Sequence, residues 1–226
     1  MNILDKTRDL TYYNFPSSQY IQEEHEKSQI YLHHTAGNSS ATGVFKYWET
    51  TSERVATCIV IAGKPGKKDF FKDGDIVQGF ASRHFGYHLG LKEATFQKNG
   101  VPYKSLDKIS IGIEICNWGQ LTHKNGKFYN WVNKLVPEGE VIELETPHRN
   151  HKYYHNYTDA QIASTEKLLR YWGSRYNIPL AYNPDIFDMC KRALKGEPGV
   201  YTHNSVRYDK VDIYPHPKLV QMLKSL

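Results

Sequence analysis

The sequence predicts an α/β fold with a single mixed central β-sheet flanked by helices. Two observations carry this. Short apolar or β-branched runs at 29–34, 54–61, 76–80, 109–116 and 200–203 read as strands, and segments with helical spacing lie between them, the longest at 158–176. Strands that alternate with helices pack as a layered domain. A third observation sets the size: the chain has 226 residues and no Gly/Ser- or Pro-rich linker, so one large domain with a substantial core is expected.

In chain order, residues 1–28 are polar and irregular and read as an N-terminal arm over the surface, with the folded domain at 29–226. The first strand, 29–34, runs into His33 and His34. Residues 40–51 read as a helix with serine caps and with Val44, Tyr47 and Trp48 on one face. A β-branched strand at 54–61 follows, then a loop at 63–69, turn chemistry at 72–75 and a strand at 76–80. The run 109–116 is the most apolar and is expected at the centre of the sheet. Residues 120–157, rich in Tyr and His and punctuated by Lys-Asn-Gly-Lys and Pro-Glu-Gly-Glu, read as a hairpin-like elaboration. Thr158 caps the long helix, Asp159 sits in its first turn, and Ile162, Leu168, Leu169 and Trp172 follow helical spacing. A short helix near 184–195, a strand at 200–203 and a terminal helix at 216–225 complete the chain.

Composition narrows the function. The net charge of +5 favours anionic partners, but the basic residues are spread along the chain. They form no cluster with stacking aromatics, so nucleic acid is not an expected partner. Mean hydropathy is −0.63, and no stretch is apolar enough to span a bilayer. Cys58, Cys116 and Cys190 are too few and too scattered for a disulfide framework or a metal knuckle, and read as buried thiols. The first ten residues lack the apolar core of a secretory signal, which predicts synthesis in the cytoplasm without a signal peptide.

Three places carry chemistry. His33 and His34 stand at a strand end, where α/β folds place functional groups, and being adjacent they point to opposite faces. A distant segment, 202–212, offers His203 and Asp212 with Lys210 between them. Together the two segments supply three metal ligands and leave a position open, as in a catalytic zinc site. Taken alone, the second segment also reads as a mixed-charge surface loop. Glu114 lies in the apolar strand Ser-Ile-Gly-Ile-Glu-Ile, where a carboxylate is costly unless it is paired or protonated. It reads either as a satisfied structural residue or as a general base.

The set Ile-Tyr-Leu-His-His-Thr-Ala-Gly, Ser-Ile-Gly-Ile-Glu, the Tyr-Thr-Asp-Ala-Gln-Ile helix and His…Lys-Val-Asp resembles the zinc-dependent N-acetylmuramoyl-L-alanine amidases. This is the amidase type 2 group, related to the T7-type lysozymes and the peptidoglycan recognition proteins. The resemblance covers roughly 29–215 and rests on four motifs in order. It implies a peptidoglycan-recognition-protein or T7-lysozyme-like fold and a catalytic domain at 29–226 with an insertion at about 120–157. It also implies Zn2+ held by His33, His203 and Asp212, with Glu114 and Lys210 as catalytic residues. Substrate-binding roles fall to His34 and to His88, whose Tyr87-His88-Leu89-Gly90 resembles a cleft-lining family segment; His84-Phe85-Gly86 has similar spacing. The sequence departs from the family in two places. Thr57 and Cys58 stand where some members carry Tyr-His, and Asp-Ile-Tyr-Pro follows Asp212 in place of Asp-Pro-Gly, which leaves His216 as a lesser alternative ligand.

The resemblance implies hydrolysis of the amide between N-acetylmuramic acid and L-alanine in peptidoglycan or muropeptides. The expected setting is a monomeric phage or prophage endolysin that acts on the cell wall after release. A cytoplasmic muropeptide-recycling amidase and a non-catalytic peptidoglycan-binding module are the alternatives; the binding relatives typically lack a zinc ligand.

Overall fold

The computed structural model describes residues 10–37, 40–64 and 70–226. Its elements in chain order are β1 (Leu10–Tyr12), β2 (Gln29–His34), α1 (Ala41–Glu49), β3 (Ile59–Ile61), β4 (Ile76–Gln78), α2 (Glu93–Lys98), α3 (Leu106–Ile109) and β5 (Ser110–Ile115). Then come β6 (Thr122–Lys124), β7 (Lys127–Tyr129), β8 (Leu135–Val136), β9 (Val141–His148), β10 (His151–His155), α4 (Asp159–Tyr176), α5 (Lys191–Lys195), β11 (Gly199–Thr202) and α6 (Pro217–Lys224).

The central sheet is ordered β1–β4–β3–β5–β2–β11. It is mixed as expected: β3 and β4 pair antiparallel and every other neighbouring pair is parallel. β5 is interior, which fits its run of buried residues. On one face α4 covers the strands, with Leu168 and Trp172 beside Ile59 and Ile76. α4 begins at a capping box in which Thr158 accepts from the Gln161 N–H and Gln161 accepts in return from the Thr158 N–H. At the other face α1 starts at Ser40, whose hydroxyl accepts from the Gly43 N–H.

Several expectations need correcting. Residues 10–28 are not an arm over the surface: β1 extends the sheet beside β4, and Phe15 is buried in the core. Residues 1–9 lie outside the described residues, as does most of the loop at 63–69. The strand at 54–61 shrinks to Ile59–Ile61, because Arg54 takes a φ of 55° and its carbonyl accepts from Tyr87 N–H instead of joining the ladder. The buried face of α1 is Ala41, Phe45 and Trp48, whereas Tyr47 is 70% exposed. The helix near 184–195 is two pieces, a 3-10 turn at Pro184–Phe187 and α5, separated where the Cys190 N–H bonds to the Ser205 carbonyl.

The 120–157 elaboration forms two small antiparallel sheets, β6–β7–β8 and β9–β10. Tyr154 of β10 stacks on Tyr214 at 4.2 Å, and Tyr157 stacks on the same ring at 4.9 Å. This packs the elaboration against the chain two residues beyond Asp212.

Candidate metal centre

The parallel register brings the site together. Glu114 of β5 is opposite His33 of β2, so both side chains share a face. On the other side of β2, Thr202 of β11 is opposite Leu32. His203 is the next residue, where the strand gives way to a 3-10 turn, and its ring meets that of His33 at 4.5 Å.

Three ligand atoms converge. His33 Nδ1 lies 3.1 Å from His203 Nδ1 and 3.3 Å from Asp212 Oδ2, and His203 Nδ1 lies 3.0 Å from Asp212 Oδ2. The outward nitrogens fix the tautomers. His203 Nε2 is 3.1 Å from the Leu89 carbonyl, so it carries the proton and donates, leaving a lone pair on Nδ1. His33 Nε2 is 2.9 Å from His88 Nδ1, and His88 Nε2 is 2.9 Å from Ser110 Oγ. Donation along this line, His33 to His88 to Ser110, leaves the His33 Nδ1 lone pair facing inward as well. Two lone pairs and a carboxylate oxygen aimed at one point repel each other unless a proton or a cation lies between them.

The charge states suit a cation. Burial, then the neighbouring His203, lowers the His33 pKa to about 4, so its ring is neutral at pH 7. Burial pushes the Asp212 carboxyl up, but the charge and hydrogen bonds of His203 and His33 outweigh it and hold Asp212 well below the usual range. A neutral His33 ring and an ionised Asp212 carboxylate are the states that metal binding requires of these two ligands.

Glu114 and Lys210 complete the site face. The Glu114 carboxylate makes no hydrogen bond to a described residue, although its backbone is paired in the sheet. Burial raises its carboxyl well above the usual range, the Asp212 charge adds to this, and Lys210 opposes it. Lys210 is half-buried, and its charge also bears on His33. A cleft of about 410 Å³ opens over Glu114, walled by Thr35, Gly43, Tyr47, Trp48 and Trp131.

Other sequence candidates lie elsewhere. His34 is buried on the opposite face, with Nδ1 2.9 Å from the Tyr157 hydroxyl and Nε2 packed on Gly119. That face is turned away from the cleft, so the substrate-binding role does not suit it. His88 is also not free for substrate, since both its ring nitrogens are engaged within the protein. It stands behind His33 as a positioning residue. The lack of a side chain at Gly112 makes room: a Cβ there would be 3.0 Å from His88 Nδ1 and 2.6 Å from Thr57 Cγ2. Of the two histidines of similar spacing, His84 packs its ring beside Tyr20 and takes no part in the contacts among His33, His203 and Asp212. His216 caps α6 through Nδ1 and donates from Nε2 to Asn156 Oδ1 at 2.7 Å, leaving no ligand atom. Sequence reasoning missed Ser110, the Leu89 carbonyl and Trp131. Trp131 had a signal in its setting, an indole on a polar hairpin with no helical or strand periodicity to bury it.

The sequence profile of the N-acetylmuramoyl-L-alanine amidases matches residues 24–217. The chain belongs to this family. Solved structures resemble the amidase across their whole length. A selenomethionine derivative of AmpD matches with a TM-score of 0.52 and 15% identity over 99% of this chain and 98% of that one. PlyL matches with a TM-score of 0.50 and 15% identity over 99% and 98%. The N-acetylmuramoyl-L-alanine amidase LysC from Clostridium intestinale URNW gives 0.48 and 15% over 97% of each chain. At such identity the likeness to AmpD and PlyL shows the fold. No curated protein sequence matches significantly. The family is generally zinc-dependent, and in this amidase His33, His203 and Asp212 form a group able to hold a metal ion. Two imidazoles and a carboxylate are a donor set that catalytic zinc takes.

Proposed function

We propose that this amidase cuts the bond between N-acetylmuramic acid and L-alanine in cell-wall peptidoglycan, with zinc held by His33, His203 and Asp212. The observation that supports it most is the convergence of their three ligand atoms beside Glu114. When bound there, zinc supplies Lewis-acid polarisation and lowers the pKa of water to about 7. Glu114 takes the proton of the attacking water and returns it to the leaving amine of L-alanine; its raised pKa makes it the stronger base. Lys210 donates to the oxygen that becomes negative as the carbonyl turns tetrahedral. His88 and Ser110 hold the His33 ring in the tautomer with a free Nδ1.

The complete ligand set, with base and cation, favours catalysis over the binding-module reading. The open cleft with aromatic walls suits a polymer, so we assign the enzyme to wall lysis in the manner of an endolysin. Digestion of purified sacculi, with mass analysis of the soluble products, tests the reading. Free stem peptides with an L-alanine amino terminus are expected, and muropeptides that keep the sugar–peptide amide would refute it. Faster turnover of soluble muropeptides than of sacculi would instead favour the recycling role.

A further inference from the structure

Trp131 belongs to the elaboration, in the turn between β7 and β8, yet it reaches the catalytic cleft. Its indole N–H donates to the carbonyl of Ala36, three residues after His33. The ring remains 64% exposed and lines the cleft that holds Glu114. Tyr47, on α1, lines the same cleft and is 70% exposed. Single exposed aromatics are common on this chain, but Trp131 and Tyr47 share one cleft with Glu114, and the polar edge of the indole is already engaged by Ala36.

The charges around the site divide it. Ala36, Gly37, Gly43 and Val44 fill out the cleft beside Trp131, and among the described residues Glu114 is its single charged wall residue. A separate hollow of about 590 Å³ is lined by Lys98, Tyr208 and Arg207, the last held in an ion pair by Asp209. A stem peptide carries carboxylates, and the cleft beside Trp131 offers them no basic wall residue among the described residues. A pyranose is uncharged, presents a face of C–H groups, and packs on an aromatic ring.

We propose that Trp131, with Tyr47 in the same cleft, is the stacking platform for a sugar ring of the glycan strand, so that the elaboration supplies glycan specificity to the amidase. The inference rests on the peptidoglycan reading above.

Two measurements test it, and one is independent of catalysis. Trp131 is the most exposed of the four tryptophans, so tryptophan fluorescence should shift when the peptide-free disaccharide N-acetylglucosaminyl-N-acetylmuramic acid is titrated in. The shift should vanish in Trp131→Phe, which keeps a stacking ring. In Trp131→Ala the KM on sacculi should rise about five- to tenfold with kcat little changed, and Trp131→Phe should recover most of that loss. Cleavage of a sugar-free D-lactoyl-L-alanyl peptide should be unaffected by either change. An unchanged KM in Trp131→Ala, an equal loss on the sugar-free peptide, or no fluorescence response in the wild type would overturn the proposal. If the wild type binds the disaccharide but cuts no sacculi, the amidase reading fails while the sugar site stands.

Discussion

The two faces of the central sheet are built from alternating residues of the same strands, and they solve the burial of a histidine differently. On one face His33 meets His203, Asp212 and His88, and every ring nitrogen of His33 and His203 has an assigned partner or faces the shared point. On the other, His34 has the Tyr157 hydroxyl for Nδ1 and no partner for Nε2 among the described residues. Burial lowers the pKa of both to about 4, so desolvation alone does not distinguish them. The difference lies in what surrounds each neutral ring. His33 has a second histidine, a carboxylate and, across the ladder, Glu114; His34 is set among Tyr157 and Tyr214. A perturbed pKa marks burial, and convergent lone pairs mark the site.

The largest test of this contrast removes the proposed base. Glu114→Ala should keep its zinc and lose activity on sacculi by about 100- to 10,000-fold; full activity would remove Glu114 from the chemistry. On the proposed mechanism, replacing Lys210 by Met should lower kcat by roughly 100-fold with the metal still bound, because it removes the proposed oxyanion donor and none of the proposed ligands. The positioning line behind His33 should matter less. With Ser110→Ala the His88 ring loses the acceptor that orients it, and zinc affinity should fall about tenfold or more, measured by competition with a chromophoric chelator. An unchanged affinity would make the Ser110–His88 bond incidental.

The smallest effect lies at the opposite end of the same strands. Lys27, just before β2, is buried and donates to the Lys108 carbonyl at 2.7 Å, just before β5. Burial lowers its pKa from 10.5 to about 8. Between pH 8 and 10.5 the folded chain therefore binds fewer protons than the unfolded one, and this group makes stability rise with pH across that window. Below pH 8 the chain bears the cost of a buried charge in full. Lys27→Met should abolish the rise in denaturant midpoint across the window. At pH 7 it should change stability by only about 1 kcal/mol, since the gain from removing the charge is offset by a carbonyl without its donor. A rise that persists in the variant would assign it to other groups.

Much of this was legible in the sequence. The central position of β5 followed from its apolar run, and the start of α4 from Thr158 and Asp159. The division of His33 from His34 followed from strand alternation. What the sequence could not yield depends on register and on long-range contact. Nothing local in Tyr87-His88-Leu89-Gly90 tells that His88 bonds to His33, or that the Leu89 carbonyl receives His203, because those bonds span 55 and 114 residues. β1 was hidden for a related reason: three residues of an edge strand carry no periodicity, and their partner β4 lies more than 60 residues away. Tyr47 was placed on the core face by helical spacing, but the groove beside Glu114 leaves that part of α1 open.

The account stands most directly on the zinc content of two neighbouring variants. His33→Ala and His34→Ala, purified alike and analysed by elemental mass spectrometry, differ by one position on one strand. The account predicts a single zinc ion per chain in the wild type and in His34→Ala, and none in His33→Ala. Zinc retained in His33→Ala and lost from His34→Ala would place the metal on the other face of the sheet and contradict it.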